Sequence, residues 1–244
     1  SHEYEQTIAC HGLMHRALID AMRRQPAFAA LRDCLPTPGS TCTITGLAGS
    51  APSLLVATLA DVMPQRIWVV AAHTPGEAEA LEADLHALYD RERVTLYPQR
   101  ETLPYEATEH HVEVSGLRVE AIEALLSGRV RILITTGRAL QERAELPSGL
   151  AELRTTLRVG DEIRLQDLAE RLDELGFERT PLVEGVGEYA LRGGILDLFG
   201  FGAPEPVRIE MWGDEIASIR SFDVLDQRST GTLQQIDVLP VDLR

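Results

Sequence analysis

Cysteine is scarce in this chain of 244 residues: Cys10, Cys34 and Cys42 are the only three, and none forms a C-x-x-C pair. An odd, widely spaced set excludes a disulfide framework and a zinc site, and reads as bystander thiols in a cytoplasmic protein. Apolar runs of membrane-spanning length are missing, and nothing reads as a signal peptide. Basic residues are also in short supply, 23 against 38 acidic ones, for a net charge of −15. Holding DNA through its phosphates needs concentrated cations, so autonomous duplex binding is disfavoured. Repeats and low-complexity tracts are absent. What is present, 44% hydrophobic and 25% charged residues, is the composition of a globular protein with one large core or two smaller ones. The opening Ser1-His2 reads as the remnant of a purification tag, and the chain stops at Arg244 soon after an apolar segment, as an excised fragment would.

The first half alternates short apolar runs with helical patterns, the signature of a doubly wound, parallel α/β sheet. Strands are expected at Thr41 to Thr45, Ile67 to Ala72, Val94 to Tyr97 and Arg131 to Thr135, and helices at Ser53 to Val62, Pro75 to Tyr89 and Val114 to Leu126. The rhythm changes near Pro147-Ser148-Gly149. After a helix at Leu165 to Leu175 come short alternating strands, Glu188 to Arg192, Gly194 to Phe199, Val207 to Trp212 and Ile216 to Phe222, with Gly213-Asp214 as a two-residue hairpin turn. A polar linker, Gln227 to Leu233, then leads to a last apolar strand, Gln235 to Val241. The expected organisation is an α/β domain over residues 1–153, a small α+β domain over 154–230, and a return strand to the first sheet within 231–244.

Between the first expected strand and its helix lies Gly46-Leu47-Ala48-Gly49-Ser50-Ala51-Pro52-Ser53, where a nucleotide-binding fold carries G-x-x-x-x-G-K-[ST]. Ala51 stands in place of the second Gly and Pro52 in place of the Lys. Proline offers neither an ammonium nor a backbone N–H, so the cradle loses a donor and its positive charge. The segment reads as a degenerate phosphate loop of a P-loop NTPase (RecA/helicase-like) sheet domain, without ATPase chemistry. The simpler alternative is a Gly-rich turn with Pro at a helix start. The second carboxylate of an NTPase is missing as well: Thr135-Thr136-Gly137 follow the strand where an acidic magnesium ligand is common.

Two stretches go beyond a generic α/β pattern. Glu101-Thr102-Leu103-Pro104-Tyr105, followed by His110-His111 and Ser115-Gly116-Leu117-Arg118, resembles a block of the bacterial transcription-repair coupling factors. The run from Gly187 to Phe199, with Pro206-Val207-Arg208-Ile209-Glu210, Gly213-Asp214-Glu215-Ile216, Phe222-Asp223 and Gln227-Arg228-Ser229, is similar to a block shared by those factors and by UvrB. UvrB itself, an ATP-dependent repair helicase, is the alternative, but it keeps an intact phosphate loop and a long Tyr-rich hairpin. Here only the connection from Pro98 to Glu113 stands in the hairpin's place.

The resemblance implies an N-terminal, UvrB-like module whose second domain recruits UvrA, with Arg192, Arg208 and Trp212 as the binding residues. It further implies RNA polymerase and DNA contacts, together with ATP and magnesium, in parts of the parent translocase outside this sequence, and masking of the UvrA site by the parent's own C-terminal domain. The local pattern agrees independently on one point: alternation in Val207 to Trp212 puts Val207, Ile209 and Met211 on one face and Arg208, Glu210 and Trp212 on the other. No catalytic residue and no metal site are expected. His110-His111, beside Glu109 and Glu113, lacks a third anchored ligand and reads as a polar loop. Tyr189 reads as core packing and Asp197 as a strand-end hydrogen-bond acceptor.

Overall fold

The computed structural model describes residues 15–35, 39, 41–100, 112–142 and 154–242. The chain divides into two compact units, Ser1–Tyr97 with Gly128–Leu140, and Pro98–Ser127 with Gln141–Arg244. Among the described residues no helix is long and apolar enough to cross a membrane.

The first unit holds helices α1 (residues 15–23), α2 (Pro26–Asp33), α3 (Ala51–Val62) and α4 (Pro75–Leu88), and strands β1 (Trp68–Ala72), β2 (Val94–Tyr97) and β3 (Ile132–Thr136). The strands form a parallel sheet in the order β1-β3-β2. Every residue of the central β3 is buried, as an uninterrupted Ile-Leu-Ile run in a parallel sheet requires. Ala57 and Ala60 of α3 and Ala78 and Leu85 of α4 complete its core. Helix α4 starts on a reciprocal cap, in which Thr74 Oγ1 accepts from the Glu77 N–H at 3.2 Å and Glu77 Oε2 accepts from the His73 N–H at 3.0 Å.

The strand expected at Thr41 to Thr45 does not form. Residues 41–48 carry no regular structure and are exposed. A strand needs a hydrogen-bonded neighbour, and this segment's apolar side chains are used elsewhere: Ile44 and Leu47 line an open groove of about 490 Å³ with Phe28, Leu31 and Leu55.

The second unit is built on a six-stranded sheet, with β5 (Glu178–Arg179), β6 (Glu188–Arg192), β7 (Ile195–Leu198), β8 (Val207–Trp212), β9 (Glu215–Phe222) and β10 (Ser229–Leu233) side by side in chain order. All neighbours are antiparallel except β5 and β6. Helix α6 (Leu165–Glu174) lays Leu168, Ala169 and Leu172 on one face of this sheet, against Tyr189, Leu196, Leu198, Val207, Ile209 and Ile219. It ends at Gly176, whose φ of +87° lets the Gly176 N–H reach the Asp173 carbonyl and the Phe177 N–H the Leu172 carbonyl, both at 3.0 Å. The Tyr189 hydroxyl donates to Asp173 Oδ1 at 2.7 Å. The sheet's opposite face has its own small core of Val183, Ala190 and Phe222, with Phe199 packed on it.

Three expectations about organisation change. Helix α5 (Val112–Leu126), expected within residues 1–153, belongs to the second unit. There Arg154 bridges Glu123 to Asp237, and Gly116 lies so close to Phe201 that a Cβ would land inside its ring. The supposed polar linker is strand β10, which is polar because it forms the sheet's edge. The closing strand β11 (Gln235–Val238) does not return to the first sheet; it pairs with β4 (Thr155–Arg158), and Val238 joins the second unit's core beside Leu157. Alternation in so short a strand shows which side chains are buried, not which sheet receives them.

Candidate functional site

The face of the six-stranded sheet opposite α6 carries the residues singled out by resemblance. Antiparallel register sets Ala190 beside Asp197, Asp197 beside Arg208, and Arg208 beside Arg220, on four successive strands. Asp197 on β7 is 1% exposed, and two arginines neutralise it. Arg208 grips the carboxylate through Nε to Oδ1 at 2.7 Å and Nη2 to Oδ2 at 2.9 Å, the planar two-bond match that a guanidinium provides and an ammonium does not. Arg192 donates through Nη2 to Asp197 Oδ2 from the edge of the same face.

Arg208 is held on every side. Its Nη2 donates to Gln227 Oε1 at 3.2 Å, and its guanidinium carbon stands 4.6 Å from the centre of the Phe222 ring. Hydrogen bonding to Asp197 raises its pKa further above its ordinary value. The Arg208 side chain is therefore 18% exposed, while that of Arg192 is 49% exposed. Nearby, Arg220 pairs with Glu210 at 3.5 Å, and Ser218 Oγ donates to Glu210 Oε2 at 2.8 Å.

Trp212 ends β8 at the turn opened by Gly213, which has a φ of +63°. A bulge shifts the register after Glu210, and β9 takes up the extra residue at Ala217. The alternation of β8 survives: Val207 and Ile209 are buried, Met211 packs partly against the main core, and Trp212 is 82% exposed. A largely solvated indole on the strand face that carries Arg208 has the composition of a protein-binding patch. Asp197 is an acceptor near the end of β7, as expected; what sequence reasoning undervalued is that it is buried and that both arginines converge on it. Its signal was a carboxylate interrupting the apolar run Ile195-Leu196-Asp197-Leu198-Phe199.

The loop from Gly46 to Ser53 has a different character. Gly46 and Gly49 are left-handed, with φ of +81° and +57°, and Ala51 and Pro52 open α3. Ser53, whose hydroxyl would hold magnesium in an intact loop, is 1% exposed and donates to Asp84 Oδ2 at 3.0 Å. Among the described residues no strand precedes the loop. All 23 basic residues of the chain are arginine, so no lysine at any position is available to reach a nucleotide's phosphates. Thr135 and Thr136 are buried, with the Thr135 hydroxyl donating to the Tyr97 carbonyl at 2.9 Å and Thr136 Oγ1 accepting from the Ala139 N–H at 3.1 Å.

His110, His111, Cys10 and the Glu101 to Tyr105 motif lie outside the described residues. Among the described residues no cluster of three or more His, Cys, Asp or Glu side chains could hold a metal ion.

The family described as the UvrB interaction domain matches residues 155–243, from β4 to just past β11. Along more of its length the chain is similar to proteins named transcription-repair-coupling factor. It is 33% identical to the one from Bacillus subtilis over 197 residues, which is 81% of this chain and 17% of that protein. It is 34% identical to the one from Mycobacterium tuberculosis over 237 residues, 94% of this chain and 18% of that protein. The Staphylococcus aureus factor is 30% identical over 195 residues, 80% of this chain and 16% of that protein. The chain thus spans less than a fifth of the length of the curated relatives it matches. With a UvrB interaction domain in its second unit and this likeness across most of its residues, the chain belongs to the transcription-repair-coupling factor family.

Proposed function

We propose that this chain is the module through which a transcription-repair coupling factor recruits UvrA, and that Arg192, Arg208 and Trp212 form the contact. The observation that carries this reading is the sheet face itself: a solvated Trp212 on the same strand as Arg208, which with Arg192 is fixed by the buried Asp197, inside the segment that matches the UvrB interaction domain. The chain carries 38 acidic residues against 23 basic ones, and this face reverses the balance locally, with Arg192, Arg208 and Arg220 against Asp197 and Glu210. It therefore suits a partner surface that offers carboxylates and an aromatic slot.

RNA polymerase binding, DNA contact and ATP-driven translocation belong, in this proposal, to other parts of the full factor, as does a C-terminal domain that covers the UvrA site until it is needed. The setting is the cytoplasm. The first unit is a P-loop-like fold whose segment Gly46, Gly49, Ala51, Pro52, Ser53 no longer binds nucleotide. The absence of lysine and the engagement of Ser53 with Asp84 support that view. Titrating the chain with ATP and magnesium in a calorimeter tests it; saturable heat with phosphate release would restore a UvrB-like ATPase.

Trp212→Ala is the direct test of the contact, because a side chain so exposed contributes little to folding. Binding of purified UvrA is expected to weaken by about tenfold to a hundredfold, the range for losing an aromatic anchor. Equal affinities for the two proteins would remove Trp212 from the site.

A further inference from the structure

The arginine face is bordered on the side away from Trp212 by the loop joining β9 to β10, and the tip of that loop is Leu225, 95% exposed. A lone surface leucine carries no message on a flexible loop. This one is fastened. Asp223 Oδ1 accepts from the Leu225 N–H at 2.7 Å and from the Asp226 N–H at 3.3 Å. The Asp223 N–H donates to the Arg228 carbonyl and the Gln227 N–H to the Asp223 carbonyl, both at 2.9 Å. The Arg228 N–H donates to Asp226 Oδ1, also at 2.9 Å. Gln227 sits at a φ of +60°, the one left-handed residue other than glycine among the described residues. Its amide is held from two sides, donating to the Val224 carbonyl at 3.0 Å and accepting from Arg208 at 3.2 Å.

The structure assigns this loop a place in the docking face: we propose that Leu225 is a second apolar anchor for the partner that Trp212 engages, held in position by Asp223 and tied through Gln227 to Arg208. The inference rests on the UvrA reading and extends it. Trp212 lies four residues along β8 from Arg208, roughly 13 Å at ~3.3 Å per residue, and Leu225 lies beyond Arg208 on the other side. Two apolar prongs flanking a strip of guanidinium groups fit within one standard interface patch of roughly 800 Å² per partner. The loop itself carries both signs, with Arg228 exposed and meeting Asp226 at 3.9 Å, so the positive strip between the two prongs is that of Arg192, Arg208 and Arg220. The matching partner surface is acidic, with an apolar recess at each end. A loop whose hydrogen bonds already fix its backbone loses little further freedom on docking, so the contact with Leu225 is retained as affinity.

The experiment measures affinity for purified UvrA using the 244-residue chain and its Leu225→Ala, Asp223→Ala, Asp223→Asn and Trp212→Ala variants, with unfolding midpoints recorded in parallel. Leu225→Ala is expected to weaken binding about tenfold with its midpoint unchanged. Asp223→Ala is expected to weaken it comparably with the leucine still present, and Asp223→Asn, which keeps the Oδ1 acceptor, to restore it. If Trp212→Ala weakens binding while Leu225→Ala stays within about twofold, the second anchor is overturned and the UvrA reading stands. If the unmodified chain fails to bind UvrA, or Trp212→Ala and Leu225→Ala both bind as it does, the two proposals fall together.

Discussion

Replacing Asp197 by alanine tests the arrangement of the arginine face at its centre. The substitution removes the carboxylate that Arg208 grips with two bonds and Arg192 with one. Arg192, half exposed, turns to water at little cost. Arg208, packed against Phe222 and 18% exposed, stays largely out of water without its counter-charge. Removing one partner of a buried pair costs about 3–5 kcal/mol, and the partial exposure of Arg208 puts this case near ~3 kcal/mol. Arg208→Ala is expected to cost about 2 kcal/mol, because Arg192 still neutralises Asp197. Arg192→Ala should cost less than ~1 kcal/mol, as an exposed pair does. Amide exchange is the suitable assay, since neither indole reports on the clamp: Trp68 lies in the first unit and Trp212 is already in solvent. Peptides covering β7 and β8 should exchange on the order of a hundredfold faster in Asp197→Ala, because each 1.4 kcal/mol is a factor of ten. The double variant Asp197→Ala/Arg208→Ala should cost clearly less than the sum of the single variants, since neither charge is then stranded. A strictly additive double variant, or an Arg192→Ala as damaging as Arg208→Ala, would refute the reasoning.

Tyr189 makes stability depend on pH in the alkaline range. Burial, helped by its hydrogen bond to Asp173, pushes its pKa up to about 12. The native state therefore keeps a proton that the unfolded chain gives up near its ordinary value of about 10, so stability is intact below pH ~10 and is lost as pH rises through ~12. The loss is about 3 kcal/mol, and Tyr189→Phe should unfold in urea with a flatter profile over that window. Gly116→Ala drives a methyl group into the Phe201 ring and should destabilise the second unit by about 1–3 kcal/mol, with partial recovery on adding Phe201→Leu. Unfolding confined to the first unit would contradict the placement of α5.

Sequence reasoning succeeded where one strand or helix determines its own form. Periodicity located β6 and β8 to the residue, because a hairpin strand with one core face alternates regardless of what lies beyond its neighbours. It failed where the outcome depends on a distant partner. Thr41 to Thr45 has strand-forming residues yet finds no neighbour, Ser229–Leu233 looks polar because it is an edge, and α5 is buried on most of its surface, so no apolar stripe indicates which unit it joins. The candidate site divides the same way. Alternation alone placed Arg208 and Trp212 on one outward face, while the role of Asp197 depends on a cross-strand register that no local pattern encodes.

The clamp also shows why the residues of this face do different work. Arg208 spends its donors on Asp197 and Gln227, so its charge reaches a partner mainly as a fixed positive field. A substitution such as Arg208→Glu would set a second carboxylate against the buried Asp197, and a loss of binding in that variant would confuse unfolding with a lost contact. Trp212 and Arg192 are free of that ambiguity, the first because it is solvated, the second because half of its side chain is. Binding energy contributed by direct contact should therefore be sought in the exposed pair, and the orientation of that contact in the buried Asp197 that holds both arginines to the sheet.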